Sequence, residues 1–257
     1  MNKPNQAKPL VSVILPVFKS EEFLTSCLES LSNQSYKNIE IIAVVDYLGD
    51  KSLKILKKYK KTEPKLRVYS NLQRYGLAPT LNRLVKLSKG QYIALMDPRA
   101  ISMKGRISAQ VSFMIKNPKV GAVGTQTRVL DKNNKKQIQT EFPCSHEEIY
   151  AKLLSGESMR FETALIDKTR LPKDVLKFKR NTHYPFVYAD VFMKIGLYKQ
   201  LANLKENLIV TRINESRKDL ISIEKRLSFI KLLFESTTLY QYKPSIRSLF
   251  APLIKQI

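Results

Sequence analysis

Apolar positions in the first hundred residues alternate between two rhythms. Residues 10–17 (LVSVILPV) form an apolar run ending near Pro16, the pattern of a strand covered on both faces. Ser20 then precedes Glu21 and Glu22, acidic residues where a helix N-terminus favours them, and Phe23, Leu24, Cys27, Leu28 and Leu31 recur at helical spacing. The alternation continues with an apolar strand at 39–46 (IEIIAVVD) and an amphipathic helix at 50–59, with Asp50 as its cap. A short strand at 66–70 follows, then a helix at 77–87 after Gly76, and a strand at 91–97 (QYIALMD). Strand, helix, strand, helix, strand, helix, strand predicts an α/β fold with a mostly parallel, Rossmann-like sheet flanked by helices. Ligands of such sheets sit beyond the carboxyl ends of the strands, which places Val17, Phe18, Asp46 and Asp97 at one rim.

The second half predicts a helix at 107–115, a strand at 120–129 and a turn at 131–134 into a hairpin strand at 137–140. Ser145 with Glu148 three residues later reads as a capping box for a helix through Leu154. Residues 161–166 are strand-like, 187–195 helical, and 214–240 helical until Pro244, before a last short helix. Gly76 suits a tight helix entry and Gly90 a helix C-cap, while Gly121 and Gly124 suit strand edges.

Composition narrows the class. The chain has 257 residues, 43% hydrophobic and 26% charged, which are globular proportions. No apolar stretch is long enough to span a bilayer, and residues 1–9 lack the apolar core of a signal peptide, so the expected location is the cytoplasm. Cys27 and Cys144 follow no metal or disulfide spacing and read as free thiols. The net charge of +23 implies either a solvated basic surface or an acidic partner: nucleic acid, anionic lipid or a diphosphate substrate. Nucleic acid is the weakest of these, because no nucleic-acid-binding motif appears and the aromatics sit mostly in apolar runs.

Several segments resemble family 2 glycosyltransferases, which have the GT-A fold. They are VSVILPVFKSEEFLTSCLESLSNQSYKNIEIIAVVD (residues 11–46), NLQRYGLAPTLNRLVKLSKGQYIALMD (71–97), ISMKGRISAQVSFMIKNPKVGAVGT (101–125) and FPCSHEEI (142–149). The resemblance covers roughly the first 60% of the chain and fades after about Arg170. It implies inverting transfer of a sugar from a nucleotide-diphosphate donor to an acceptor hydroxyl. It assigns nucleotide-sugar binding to Pro16, Val17, Phe18, Asp46, Arg74 and Asp97, with Asp46 on the nucleobase; Arg83 is a further candidate for the donor cleft, and both arginines also suit a solvated surface. It also implies Mg²⁺ or Mn²⁺ on the donor diphosphate, with Asp97 as a ligand.

The chain departs from the family pattern at three places. The usual Asp-Asp after the second strand is Val45-Asp46. The usual Asp-x-Asp is Asp97-Pro98-Arg99. A guanidinium about 5 Å from a divalent ion costs roughly several kcal/mol even at an effective dielectric near 20, so Arg99 disfavours the metal. Arg99 then either takes over the ion's charge on the departing diphosphate or pairs with Asp97 in an inert site. The acidic pair that supplies the family's general base aligns with Val187 and Tyr188. Asp190, Glu162 and His183 are the remaining candidates for the base, and His146 reads as a first-turn helix residue beside Glu147 and Glu148.

Three regions follow: a terminal segment at 1–9, a GT-A domain at 10–212 with a nucleotide-binding half (10–100) and an acceptor half (101–212), and a basic helical tail at 213–257. Residues 226–231 and 245–257 mix Arg and Lys with Phe, Leu and Ile, as in a helix lying on an anionic membrane or one packed on the sheet. The expected function is a glycosyltransferase of surface-polysaccharide or lipopolysaccharide synthesis acting on a glycan or lipid-linked acceptor at the inner face of the plasma membrane. The alternative is a catalytically inactive relative that binds or scaffolds.

Overall fold

The computed structural model describes residues 8–130, 137–180, 182, 184, 186–212 and 223–254. Four parallel strands build the first half: β1 (Val11–Val17), β2 (Ile39–Val45), β3 (Leu66–Ser70) and β4 (Tyr92–Leu95), in the spatial order β3-β2-β1-β4. The crossovers are α1 (Glu21–Ser32), α2 (Ser52–Lys60) and α3 (Leu77–Leu87). Chain order reverses between β1 and β4, so the switch point that commonly houses a ligand in open α/β sheets lies between those two strands.

The apolar runs are covered on both faces, as their composition predicts. Val13 and Leu15 of β1 and Ile41 of β2 pack with Leu24, Leu28 and Leu31 of α1. Ile14 and Ile42, one residue along, point the other way and pack with Leu81 and Leu84 of α3. Each fully buried Leu or Ile contributes about 1.5–3 kcal/mol relative to exposure.

The second half makes the sheet mixed. It comprises β5 (Ile101–Ser102), α4 (Arg106–Lys116), β6 (Val120–Leu130), β7 (Gln137–Gln139), α5 (His146–Ala151), a 3-10 turn at Phe161–Thr163, β8 (Leu165–Asp167), α6 (Phe186–Tyr198), β9 (Gln200–Arg212), α7 (Ile223–Leu239) and α8 (Ile246–Ile254). From β4 the sheet runs on through β8, β6, β9 and β5, with β8 antiparallel to β4 and β6, and β9 parallel to β6. β7 pairs back on β6 as the expected hairpin, whose turn at 131–134 lies outside the described residues.

Three local expectations need correction, and a fourth cannot be compared. Residues 161–166 are not one strand: the chain makes the 3-10 turn first, and only then joins the sheet. The last long helix is described over Ile223–Leu239, and the expected start at 214 lies outside the described residues. The capping box is formed, with Ser145 accepting from the Glu148 N–H, but the helix ends at Ala151 and not at Leu154. Gly90 is not the C-cap of α3, which ends at Leu87. A Cβ at Gly90 would lie 2.7 Å from the Leu10 carbonyl and the Ser12 nitrogen, so it is close backbone approach to β1 that demands glycine there. Gly76, by contrast, sits at φ +90° at the entry to α3, as read from the sequence.

Candidate functional site

The carboxyl ends of β1, β2 and β4 lie side by side. Val17 pairs with Val45, and Ile14 with Leu95, so Phe18, Asp46 and Asp97 leave the sheet at one rim. Pro16 helps to open it. Leu10 and Ile14 offer their carbonyls to β4, so the alternating pleat turns the Pro16 nitrogen to the same side, where β4 has already ended. A residue with no N–H forfeits no ladder bond there, and the strands part.

Asp46 is buried and organises the loop after β3. Its Oδ1 accepts from Asn71 Nδ2 at 2.6 Å and from the Tyr75 N–H at 2.9 Å, and its Oδ2 from the Gly76 N–H at 2.7 Å. Arg83 belongs to the same support: it donates to the Ser70 carbonyl and to Asn71 Oδ1, both at 2.7 Å. Outside this frame lies an aromatic and cationic ledge. Phe18 and Tyr47 meet edge to face at 5.5 Å, the Arg74 guanidinium stands 4.7 Å above Phe18, and the Lys19 ammonium is 5.2 Å from the Tyr47 ring. Lys19 holds φ at +46°, a left-handed conformation that a non-glycine residue adopts at a cost and that clusters at functional sites.

Asp97 follows β4 in a turn. Its Oδ1 accepts from the Arg99 N–H at 2.8 Å, and its carbonyl from Ala100 N–H at 3.0 Å. Cys27 of α1 lies against that carbonyl; burial, and then the Asp97 charge, push its thiol well above the usual range, so it stays protonated and inert. One turn earlier in α1, Phe23 carries the Arg212 guanidinium 5.3 Å from its ring centre. Arg212 ends β9 two residues past Val210, the partner of Ile101, so it joins the segment that carries Arg99.

Sequence reasoning missed the group behind this rim. Arg106 is wholly buried, and its guanidinium donates to the Leu95 carbonyl (2.8 Å), the Thr163 carbonyl (2.9 Å), Gln110 Oε1 (3.1 Å) and Met96 Sδ (3.3 Å). None of these partners is a carboxylate. Burial pushes the guanidinium down to about 10, which leaves it charged at neutral pH. Gln110 adds bonds of 2.8 Å to the Val123 and Thr163 carbonyls. The signal was available: Arg106 and Gln110 stand at i and i+4 on the stripe of α4 that also carries Ile107, Val111 and Met114.

The candidate bases divide. Asp190 on α6 is 0% exposed and lies 3.0 Å from Lys179, 2.9 Å from Lys194 and 3.2 Å from the Tyr240 hydroxyl. Burial alone would lower the Lys179 ammonium, but Glu235 and Asp190 together hold it above its usual range. Asp190 therefore ties α6 to α7. Val187 and Tyr188 are buried in the core. Glu162, in the 3-10 turn, accepts from the Tyr184 hydroxyl at 2.6 Å. His146 is the first residue of α5; its Nδ1 accepts from Leu201 N–H at 3.1 Å, and burial lowers its pKa, so it serves as a strand anchor. His183 lies outside the described residues.

The model of the family described as glycosyl transferase family 2 matches residues 12–187. The chain belongs to glycosyl transferase family 2. A relative from Haemophilus influenzae, called an uncharacterized glycosyltransferase, is 25% identical over 248 residues, 93% of this chain and 76% of the relative. An Escherichia coli relative, UDP-Glc:alpha-D-GlcNAc-diphosphoundecaprenol beta-1,3-glucosyltransferase WfgD, is 25% identical over 201 residues, 78% of this chain and 72% of its own. Among solved structures, S. aureus TarS (residues 1–349) in complex with UDP-GlcNAc superposes with a TM-score of 0.72 at 18% identity, over 89% of this chain and 66% of that chain. That likeness establishes the GT-A fold for the family member described above.

The divalent ion that the resemblance implies does not fit the residues present. Arg99 occupies the position of the second carboxylate, Asp97 Oδ1 is engaged by the Arg99 N–H, and among the described residues no group of three or more His, Cys, Asp or Glu is placed to hold a metal. No described helix is long and apolar enough to cross a membrane.

Proposed function

We propose that this protein transfers a sugar from a nucleoside-diphosphate donor to an acceptor hydroxyl, with the donor lying across the rim between β1 and β4. The observation that carries this is the ledge of Phe18, Tyr47, Lys19 and Arg74 beside Asp46 at the carboxyl ends of β1 and β2, next to the switch point: flat rings suit a nucleobase and the cations suit a diphosphate. Asp97 and Arg99 face the leaving diphosphate, with Arg99 supplying the positive charge that an ion supplies elsewhere. Arg212 reinforces it from the end of β9. Calorimetry with UDP and GDP tests this. One of them is expected to bind in EDTA with a Kd that Mn²⁺ changes by less than threefold, and Arg99→Ala is expected to weaken that binding about tenfold. Binding that requires Mn²⁺ and ignores Arg99 would refute the substitution.

The acceptor in this reading is a lipid-linked glycan of surface-polysaccharide synthesis; the name of the E. coli relative gives a lipid-linked sugar, alpha-D-GlcNAc-diphosphoundecaprenol. A feature of the tail favours work at an anionic membrane. α7 buries Phe229 and Leu232 on one side yet exposes Leu227, Ile230 and Phe234 on the other, with Arg226 and Lys231 beside them; α8 adds Ile246, Arg247 and Phe250. Replacing Ile230 and Phe234 by aspartate is expected to reduce sedimentation with phosphatidylglycerol vesicles at least fivefold without lowering the melting temperature. Equal sedimentation excludes this face as the contact.

A second reading, a family member that binds donor without turnover, is favoured by the apolar burial of Val187 and Tyr188, the positions that align with the family's acidic pair. Donor binding with no release of nucleoside diphosphate would distinguish it.

A further inference from the structure

We infer that Glu162 is the general base of the transfer, the group that takes the proton from the acceptor hydroxyl. This rests on the transferase reading above and names a residue for its missing step.

The first ground is location relative to the vacated acidic pair. The Tyr188 ring packs on Phe161 at 6.0 Å and on Tyr184 at 6.1 Å. These are the immediate companions of Glu162: Phe161 precedes it, and Tyr184 donates its phenol to Oε1 at 2.6 Å. A carboxylate thus lies beside the place where the acidic pair has become Val187 and Tyr188.

The second ground is location relative to the donor rim. In the β4–β8 pairing Ala94 lies opposite Leu165, and Leu95 N–H donates to the Ala164 carbonyl at 2.9 Å. Arg106 Nη2 then spans the Leu95 and Thr163 carbonyls, holding the two chains abreast past the end of the ladder. The next residues outward are Met96 and Asp97 on one chain and Glu162 on the other.

The third ground is an unfilled bonding capacity. Glu162 is only 9% exposed, and among the described residues its Oε2 has no hydrogen-bond partner. A buried carboxylate oxygen left without a donor is costly unless a ligand completes it. An acceptor hydroxyl carries the donor that Oε2 lacks.

The step balances without any co-reactant beyond donor and acceptor. The acceptor hydroxyl gives its proton to Glu162 Oε2 while its oxygen bonds to the anomeric carbon. The bond from that carbon to the diphosphate oxygen breaks, and its electron pair leaves with the nucleoside diphosphate. The proton then passes from Glu162 to solvent. Tyr184, by holding Oε1, is a positioning residue.

The experiment uses the full chain with UDP-glucose, UDP-N-acetylglucosamine and GDP-mannose. Calorimetry identifies which donor binds, and release of nucleoside diphosphate to water or added acceptor measures turnover. E162Q is expected to lower turnover at least about 100-fold while the nucleotide Kd stays within twofold. E162D is expected to retain part of the rate. Y184F is expected to lower kcat several-fold while the acceptor KM and the nucleotide Kd stay within twofold, a split that a merely structural contact would not give. Turnover of E162Q within threefold of wild type overturns the inference, as does loss of nucleotide affinity in place of turnover, or a bound donor that the wild type leaves intact. If none of the three donors binds, the transferase reading itself falls, and the inference with it.

Discussion

Arg106→Leu is expected to lower the melting temperature by about 10 °C. The substitution leaves the Leu95 and Thr163 carbonyls, which converge on one guanidinium nitrogen, without that donor, and removes a partner of Gln110. A buried acceptor stripped of its donor costs about 1–3 kcal/mol; the Leu95 carbonyl is stripped, the Thr163 carbonyl keeps Gln110 Nε2 at 2.8 Å, and with the disturbed amide the loss comes to about 3 kcal/mol. Leucine also relieves the desolvation of a buried charge, an opposing effect. The carbonyls win because both belong to backbone fixed at the ends of β4 and the 3-10 turn and cannot swing toward water. At about 2–4 °C per kcal/mol for a chain of this size, the shift is near the figure given. Differential scanning calorimetry checks it, and a change under 2 °C would show that the clamp contributes little. Because Arg106 ties the residue after Glu162 to the end of β4 that leads to Asp97, any variant protein that still folds is also expected to lose turnover.

The second large effect is at Asp190. Asp190→Ala is expected to cost about 3 kcal/mol, the lower end for breaking a buried ion pair, because Lys179 is more than a third exposed and water screens it. Lys194 and Lys179 are then left near each other without the carboxylate between them, although Lys179 keeps Glu235 at 2.6 Å. Since Tyr240 follows α7 and also bonds Asp190, that helix is expected to gain hydrogen-exchange rate before the central sheet does. Nucleotide affinity is expected to stay within twofold. The opposite result, unchanged stability with turnover abolished, would return Asp190 to the list of bases and remove Glu162.

The first half of this fold was legible because each strand is short, apolar and bounded. Two-sided burial leaves runs such as residues 39–45 no other stable conformation, and Asp46 and Asp97 stand at the ends of such runs. β9 was not legible. Leu201, Ala202, Asn203 and Leu204 are buried in succession, the burial breaks at Lys205 and Glu206 and returns at Ile209, and bulges interrupt its register with β6, so no strict alternation marks it. Residues 161–166 looked like a strand because Phe161, Leu165 and Ile166 are all buried, but the carbonyl of Thr163 is claimed by Arg106 and Gln110, which bends the chain into a turn. The rim residues were found from motif positions, whereas the ledge cation Lys19, the cation Arg212 on Phe23 and the companions of Glu162 were not. Their partners lie far off in sequence, as Phe23 does from Arg212, and a spacing rule cannot reach them.

The clamp behind the rim separates shape from chemistry. Arg106 and Gln110 fasten main-chain oxygens, and they do so from the rear, so the geometry of the opening does not depend on which side chains stand in front of it. Position 99 is therefore free to carry arginine in place of a carboxylate while the scaffold keeps its outline. A lineage built this way can rewrite its reaction centre one substitution at a time and remain a folded protein at every intermediate.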